Sequence, residues 1–506
     1  MQGKNRAVIT VCVMLATLMQ ALDTTIANVA LPYMQGTMSA NQDEINWVLT
    51  SYIVAAAIMT PPTGWLSGRF GRKRVLLVSV CGFAVTSALC GLANSLTEIV
   101  LYRLLQGAFG AALVPLSQAV LLSAYPRERH GEAMAIWGIG VMLGPILGPT
   151  LGGYLTENYS WRYVFYINVP VGILAFLGIS AFMSETVRER LRFDWFGFLA
   201  LSLATGALQM MLDRGQELDW FGSREIIALA VVAAVAFYIF LVHMFLSEGP
   251  FLTPAVFADR NAIAGFALMF MIGVVLLTTL ALLAPFLQTL LGYPVVTAGV
   301  LLAPRGVGTM LAMFIVGRLV GKIDARALIL FGLALAALAL YQMTGWSADV
   351  SETDIIETGI MQGFGLGFIF VPLSSVAFST LPVARIPEAA GLYNFLRNIG
   401  SSIGIAISMS LLVSNTQQTH AEIGAVVTAA NRLFRAPEIA RLWSPFTLHG
   451  RALLDAQITA QATTVAYIDD FKLLMMVTLV TMPLVLLLRH QRESAAGGGL
   501  APATVE

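Results

Sequence analysis

Charge is what this 506-residue sequence has least of: 29 lysines and arginines and 29 aspartates and glutamates make up 11% of it and cancel to zero. A water-soluble globule of this length carries roughly a quarter of its residues charged, so the composition excludes one. The zero balance also argues against a nucleic-acid partner, because no basic patch lies outside a few loops. Histidine is scarce, with five residues and no cluster that would suggest a metal. The three cysteines, Cys12, Cys81 and Cys90, have neither metal-ligand spacing nor the pattern of a disulfide framework. No phosphate-binding loop and no soluble catalytic stretch interrupts the chain, so an enzyme is not expected and no metal site is assigned. The first apolar run starts within a few residues of Met1 and lacks a small-residue cleavage site, which reads as a retained helix.

What fills the sequence is apolar. Hydrophobic residues make up 57% of it, and the mean hydropathy is +0.78. Runs of about 20 apolar residues recur, each able to cross about 30 Å of hydrocarbon as a helix whose backbone polar groups are satisfied locally. The spans begin near residues 8, 47, 75, 98, 132, 163, 196, 225, 262, 298, 326, 355, 390 and 467. Fourteen is even, so both termini are expected on one side. Clusters such as Arg69, Arg72, Lys73 and Arg74, or Arg188, Arg190 and Arg192, fall on that side, whereas the short opposite loops hold little beyond Arg162, Arg214 and Arg224. The bias places the termini in the cytoplasm.

The chain also repeats itself. "QGAFGAALVPLSQ" from Gln106 returns as "QGFGLGFIFVPLSS" from Gln362, an offset of 256 residues. "GWLSGR" from Gly64 returns as "GRLVGK" from Gly317, and Gly144 and Gly148 map onto Gly400 and Gly404. Eight spans separate each pair, so six spans, two inserted spans and six more is the economical reading, with a substrate site between the halves near the midplane. The expected divisions are a six-helix bundle over 1–190, the insertion and its linker over 191–250, a second bundle over 251–490 and a tail over 491–506. Within the second bundle a polar segment at about 414–467, containing "RAPEIARLWSPFTLHGR", falls on the outer side, and its Ala-, Gln- and Leu-rich parts read as helical.

Span 1 carries the most informative charge, in "QALDTTIANVALP" from Gln20. At 100° per residue Gln20, Asp23, Thr24, Ala27 and Asn28 share an arc of about 140°, so Asp23 is expected to face the bundle interior. Intramembrane acids often mark proton or substrate pathways. A carboxyl group out of water holds its proton more tightly, which suits a proton-coupled site. Arg103 in span 4 lies at a depth its side chain can bridge to Asp23. The pair is either a switch whose proton occupancy follows conformation or a static ion pair joining two helices. Arg397 beside Asn394 in span 13, and Arg305 in span 10, are further intramembrane cations with no acid evident nearby; substrate contact, gating and structural pairing all remain open for them. Most of the 22 methionines read as packing residues, although such adaptable side chains also suit a cavity for unlike apolar molecules.

These stretches resemble the major facilitator superfamily, and within it the fourteen-span drug:proton antiporters of the EmrB type. The resemblance rests on "LDTTIANVALP" from Leu22, "GWLSGRFGRK" from Gly64, "RLLQG" from Arg103 and "GVMLGPILGPTLGG" from Gly140, with support from "LDRGQELDWF" and "NFLRNIGSSIG". It implies an all-α membrane protein of the major facilitator fold in a bacterial inner membrane, driven by the proton gradient with no cofactor. Asp23 and Arg103 would couple protons. Gln20, Asp23, Asn28, Gln106, Gln362, Asn394 and Arg397 would line the substrate cavity. Gly64, Arg69, Gly71, Arg72 and Lys73 would form a gating loop, and Gly140, Gly144, Pro145, Gly148 and Gly152 the antiporter motif, packed against the second half. Gly68 stands where the family usually has an aspartate that latches the cytoplasmic side, so that latch is expected to be missing. Implied partners are small lipophilic compounds, the bilayer, and a periplasmic adaptor protein with an outer-membrane channel, the adaptor docking on the 414–467 segment unless that is a solvated connector. Two other functions stay open: a dedicated exporter of one metabolite, fatty acid or siderophore, and a membrane-embedded enzyme or sensor.

Overall fold

The computed structural model describes residues 3–126, 129–186, 188, 192–247, 249–427, 443–444 and 446–489. Thirteen helices among them are long and apolar enough to cross a membrane. A fourteenth crossing is a pair bent by 57°, broken at Pro61 and Pro62. In order, the first six spans are Gly3–Met38, Gln42–Met59 with Thr63–Phe70, Arg72–Leu92, Leu96–Gly110 with Leu113–Ala124, His130–Asn158, and Tyr163–Tyr166 with Asn168–Phe182. Spans 7 and 8 are Trp195–Arg214 and Arg224–Leu246. Spans 9 to 14 are Arg260–Pro285 with Phe286–Leu290, Val295–Leu319, Ala325–Met343, Glu352–Ser379, Ile386–Val426, and Leu448–Thr481 with Met482–Leu487. The end of the molecule where Gly3 lies is called here the terminal end, and the other the far end.

Side chains at the helix starts satisfy the orphaned amides of the first turn. Asn41 and Glu44 form a reciprocal box, Asn41 Oδ1 accepting from the Glu44 amide at 2.7 Å and Glu44 Oε2 from the Asn41 amide at 2.9 Å. Ser95, Asp194, Asp259, Ser351 and Thr447 cap spans 4, 7, 9, 12 and 14. At the terminal end the chain turns out of spans 2 and 10 through Gly71 and Gly321, both at φ +91°, where any β-carbon would be strained.

The duplication reappears in the packing. Span 1 packs on spans 5 and 6, span 2 on span 4, and span 3 on spans 4 and 6. Spans 9 to 14 repeat every one of these pairs eight spans later: 9 on 13 and 14, 10 on 12, and 11 on 12 and 14. Glycine sets the close approaches. A β-carbon on Gly144 would sit 2.6 Å from that of Ala21, and one on Gly148 would sit 2.8 Å from that of Thr25. In the second half Gly400 and Gly404 meet the backbone of Phe270 and Val274 in span 9. The glycine row of span 5 is thus turned toward span 1 of its own half, with Gly140 against Met14 and Gly152 against Ile26, and not toward the second half as expected. The second half is met by a different face of span 5. There Ala135 abuts Gly317, Met313 reaches Gly138, Ile146 covers Gly306 and Pro149 abuts Gly299, all from span 10. Two small-residue faces on one helix explain why the motif alone did not give the direction.

The inserted spans 7 and 8 pack on each other, and span 7 also lies against spans 2 and 13. The Thr50 hydroxyl bonds the Asp213 carboxylate there, and Asn46 Nδ2 reaches Glu217 Oε1 at 3.4 Å. At the terminal end Trp65 packs on Phe193, 4.4 Å between ring centres, and donates its indole N–H to the Arg192 carbonyl at 3.1 Å.

The outer segment at 414–467 is helical in its Ala-, Gln- and Leu-rich parts as expected, and these continue the spans on either side of it. Span 13 stays helical to Val426, and the last span starts at Leu448, well before residue 467. A 41-residue helix is about 60 Å long, roughly twice the hydrocarbon thickness, so both helices project beyond the bilayer at the far end. Hydropathy registers only the membrane-embedded part. His420 Nε2 and Asp455 Oδ1 meet at 3.0 Å between the two projections. Most of "RAPEIARLWSPFTLHGR", and the tail at 491–506, lie outside the described residues.

Candidate functional site

Asp23 lies midway along span 1 and is fully buried. It accepts hydrogen bonds from three side chains on two other helices. Arg103 Nη1 approaches Oδ2 at 2.6 Å, while Gln106 Nε2 at 2.9 Å and Asn168 Nδ2 at 3.1 Å converge on Oδ1. Arg103 is 1% exposed and equally constrained: Nε donates to the Val48 carbonyl at 3.0 Å, Nη1 also reaches Gln106 Oε1 at 3.0 Å, and the Tyr52 ring lies 4.2 Å from the guanidinium carbon. Asn168 also donates to Ser87 Oγ at 3.0 Å, and Ser87 donates to the Phe165 carbonyl at 2.8 Å. One ion pair therefore ties together spans 1, 2, 3, 4 and 6. Removing one member of such a pair leaves an uncompensated buried charge at about 3 to 5 kcal/mol.

The sequence found Asp23, Arg103 and Gln106 but missed Asn168, Ser87 and Tyr52. Asn168 is an amide inside an otherwise apolar run, and that run was the signal available. Both ends of the pair belong to one half, so rocking of the two halves does not by itself part them. Span 2 supplies the connection. It holds Arg103 through Val48 and Tyr52, and farther along it touches the second half, where β-carbons on Gly64 and Gly391 would come within 2.6 Å of Glu388 Cα and 2.9 Å of Thr63 Oγ1.

The expected polar arc of span 1 is split. Asp23 and Ala27 are buried, Asp23 within its own half, whereas Thr24 and Asn28 are exposed and Gln20 is half-buried beside Tyr52. Of the other expected cavity residues, Gln106 belongs to the Asp23 network, and Gln362 is buried with Nε2 3.5 Å from Thr279 Oγ1. Asn394 is buried in the contact between the halves, donating Nδ2 to Gln118 Oε1 in span 4 at 3.1 Å. Near it Trp137 stacks on Phe370, 5.9 Å between ring centres. These contacts and the Gly64–Glu388 approach close the terminal end. Arg397 is half-buried and meets Asn398 Oδ1 at 3.3 Å. At the far end a cleft of about 320 Å³ lies between Val29, Pro32 and Tyr33 of span 1, Gly153, Thr156 and Glu157 of span 5, and Val295 of span 10.

The gating-loop residues divide by chemistry. The Arg72 amide donates to Thr186 Oγ1 at 3.0 Å and its guanidinium to Ser123 Oγ at 2.5 Å. The Lys73 amide meets Glu185 Oε1 at 3.3 Å, and its ammonium caps span 6 at the Ser180 carbonyl at 2.7 Å. Gly71 packs on the Glu185 carboxylate, and Arg69 is exposed. These contacts tie Arg72 and Lys73 to their own half, a helix C-terminus attracting the lysine cation as expected. It is Gly64 that faces the second half, through the absence of a side chain.

Comparison with known proteins agrees with this architecture. The family model described as Major Facilitator Superfamily matches residues 13–405. The Multidrug export protein EmrB of Escherichia coli (strain K12) is 34% identical over 99% of this chain and 98% of its own. The Probable multidrug resistance protein EmrY of the same strain is 36% identical over 85% and 84%. The Fatty acid resistance protein FarB of Neisseria gonorrhoeae is 34% identical over 98% and 99%. Among solved structures, the proton:xylose symporter XylE bound to 6-bromo-6-deoxy-D-glucose superposes with a TM-score of 0.59 at 14% identity, covering 94% of this chain and 95% of that one. With its helical duplication and these relatives together, the chain belongs to the major facilitator superfamily of multi-pass membrane transporters.

Proposed function

We propose that this protein exports lipophilic drugs or related toxic compounds from the cytoplasm or inner leaflet, in exchange for protons, across a bacterial inner membrane. The observation that carries the reading is the sealed Asp23–Arg103 pair held by the span that also touches the opposite half. The relatives named for multidrug export cover nearly the whole chain. The basic loops favour a cytoplasmic terminal end, so the conformation described is the outward-facing one.

In that conformation Asp23 is shut away from water and paired. Uptake of a proton requires Arg103 to withdraw, and Arg103 is anchored on span 2 by Val48 and Tyr52. Opening the terminal end moves span 2 away from Glu388 and Gly391 and shifts that anchor. Proton occupancy thereby biases which end is open, and the open end biases proton occupancy. Substrate released outward would pass Thr24 and Asn28. The projecting helices at the far end offer a platform for a periplasmic adaptor protein leading to an outer-membrane channel. Energy comes from the proton gradient, and no cofactor takes part.

The test is a dye-efflux panel in a pump-deficient bacterial host, with and without a proton uncoupler. Uncoupler-sensitive export of several unlike dyes is expected. Export of one compound alone would favour the dedicated exporter, and export of none by a correctly inserted protein would overturn the proposal.

A further inference from the structure

The second half carries its buried acid on a different helix from the first. At the 256-residue offset the place of Asp23 is taken in span 9 by Thr279, which bears no charge. Span 14 repeats span 6 in its packing, on spans 9 and 11 as span 6 lies on spans 1 and 3. The buried faces of spans 6 and 14 coincide at an offset of 302 residues, longer because the projecting helices intervene. Phe165 then corresponds to Tyr467, Asn168 to Asp470, Gly172 to Leu474 and Ile179 to Thr481, every one of them buried. Asn168 is the residue whose amide donates to Asp23. Its place in the second half is held by a carboxyl group.

That carboxyl group has no helper. Asp470 is 1% exposed, and neither of its oxygens has a hydrogen-bond partner. On its own helix Lys472 is exposed and bonds Asp469 at 3.1 Å, while the Tyr467 hydroxyl turns to Thr289. The ionisable groups of the helices packed on span 14 are engaged elsewhere or exposed. Arg260 of span 9 and Arg326 of span 11 bond the Leu487 and Leu488 carbonyls at the terminal end, and Tyr341 is exposed. On span 13 Glu388 bonds Thr253, Tyr393 packs on Phe378, Arg397 meets Asn398, His420 pairs with Asp455 and Glu422 accepts from Gln418. Tyr467, Phe471 and Leu474 join Phe286 and Leu340 in one buried apolar cluster. Asp23 has Arg103 and two amides to compensate a negative charge, whereas a buried carboxyl group with no partner avoids ionisation by keeping its proton. Asp470 stands at the far-end edge of the apolar run of span 14. Toward the terminal end, Thr478 and Thr481 are the polar members lining a void of about 10 Å³ among spans 9, 11 and 12, room for about one water.

We propose that Asp470 is a second proton carrier, holding a proton while the terminal end is closed and giving it to water on that side when the end opens. The O–H bond breaks with its electron pair left on the carboxylate, and water at the far end later returns a proton to the same oxygen. This rests on the exporter reading and adds one proton to the one carried by Asp23.

Two measurements test it. Infrared difference spectra of the purified full-length wild type against Asp470→Asn report the protonation state directly. A carbonyl band of a protonated carboxyl group is expected in the wild type and not in the variant; its absence from the wild type overturns the proposal. The second measurement separates a carrier from a residue that never releases its proton. Wild type, Asp470→Asn and Asp470→Glu, each folded by its melting transition, are reconstituted in liposomes with ethidium or another permanently charged dye of the efflux panel as the probe. With the membrane potential clamped at zero and a pH difference of about one unit, each coupled proton multiplies the steady-state dye gradient about tenfold. Asp470→Asn is therefore expected to lower the gradient about tenfold or more, and Asp470→Glu to restore it. An equal gradient in wild type and Asp470→Asn, or a loss that Asp470→Glu does not restore, overturns the proposal. Export with an unchanged gradient in Asp470→Asn removes the second proton alone, whereas a wild type that shows the band and exports no dye removes the exporter reading.

Discussion

Gly64→Ala is expected to favour the state in which the terminal end is open. The added β-carbon would lie 2.6 Å from Glu388 Cα, 2.8 Å from its Cβ and 3.0 Å from its amide nitrogen. Carbon atoms in contact normally sit about 3.5 to 4.0 Å apart, and a backbone atom cannot rotate away, so spans 2 and 13 must separate by about 1 Å. Overpacking of this kind costs about 1 to 3 kcal/mol. The cost applies only where the contact exists, which is the closed terminal end, so the ratio of the two states moves about 5- to 150-fold. The assay replaces Cys12, Cys81 and Cys90, places a cysteine at Asn28, which is exposed here, and measures its labelling by an impermeant maleimide from the far side. Gly36→Ala is the control, since it adds the same methyl to a helix where no atom lies within 4 Å. Several-fold slower labelling in Gly64→Ala than in Gly36→Ala is expected. Equal rates would refute the reasoning that a bare glycine closes this end.

Further outcomes follow from the same geometry. Gln118→Leu with Asn394→Leu removes a buried hydrogen bond between the halves at 3.1 Å; a double-mutant cycle on the Asn28 labelling equilibrium should give a coupling of about 1 kcal/mol, and zero coupling would deny that the bond stabilises closure. Gly148→Leu drives a side chain into Thr25 and Ile26 of span 1; a melting temperature at least several degrees lower is expected, whereas Gly153→Ala, 3.0 Å from Val296 Cγ2, should be milder. Asp470 is 1% exposed with both carboxylate oxygens unpartnered, close in sequence to Tyr467 and Phe471. Asp470→Leu should therefore stabilise the purified protein by about 1 to 3 kcal/mol, and a loss of stability would reveal a partner not seen in this conformation.

Much of the fold was legible because a membrane imposes length and apolarity on each crossing, and all but the last of the fourteen expected spans start within a few residues of the expected places. Repeated strings such as those at Gln106 and Gln362 also gave the eight-span correspondence between the halves, which the packing repeats. The projecting ends of spans 13 and 14 were legible only in part: the Ala-, Gln- and Leu-rich parts of 414–467 read as helical, but a helix outside the bilayer leaves no hydropathy signal to show that it continues the spans on either side. In the site, Asp23 and Arg103 stood out as charges in apolar runs. Asn168 carries no charge and did not. The direction of the glycine row was ambiguous because span 5 is small on two faces. The expected gating-loop residues divide: Arg72 and Lys73 bond within their own half, whereas Gly64, expected with them, meets the opposite half by having no side chain.

The central claim is that the Asp23 carboxyl carries the proton that drives export. Its direct test is substrate-induced proton movement in liposomes loaded with a pH-sensitive dye, comparing wild type, Asp23→Asn, and the charge-balanced Asp23→Asn/Arg103→Gln pair, each checked for a folded state by its melting transition. The account predicts proton movement in the wild type and none in either variant. Unchanged proton movement in folded Asp23→Asn would contradict it.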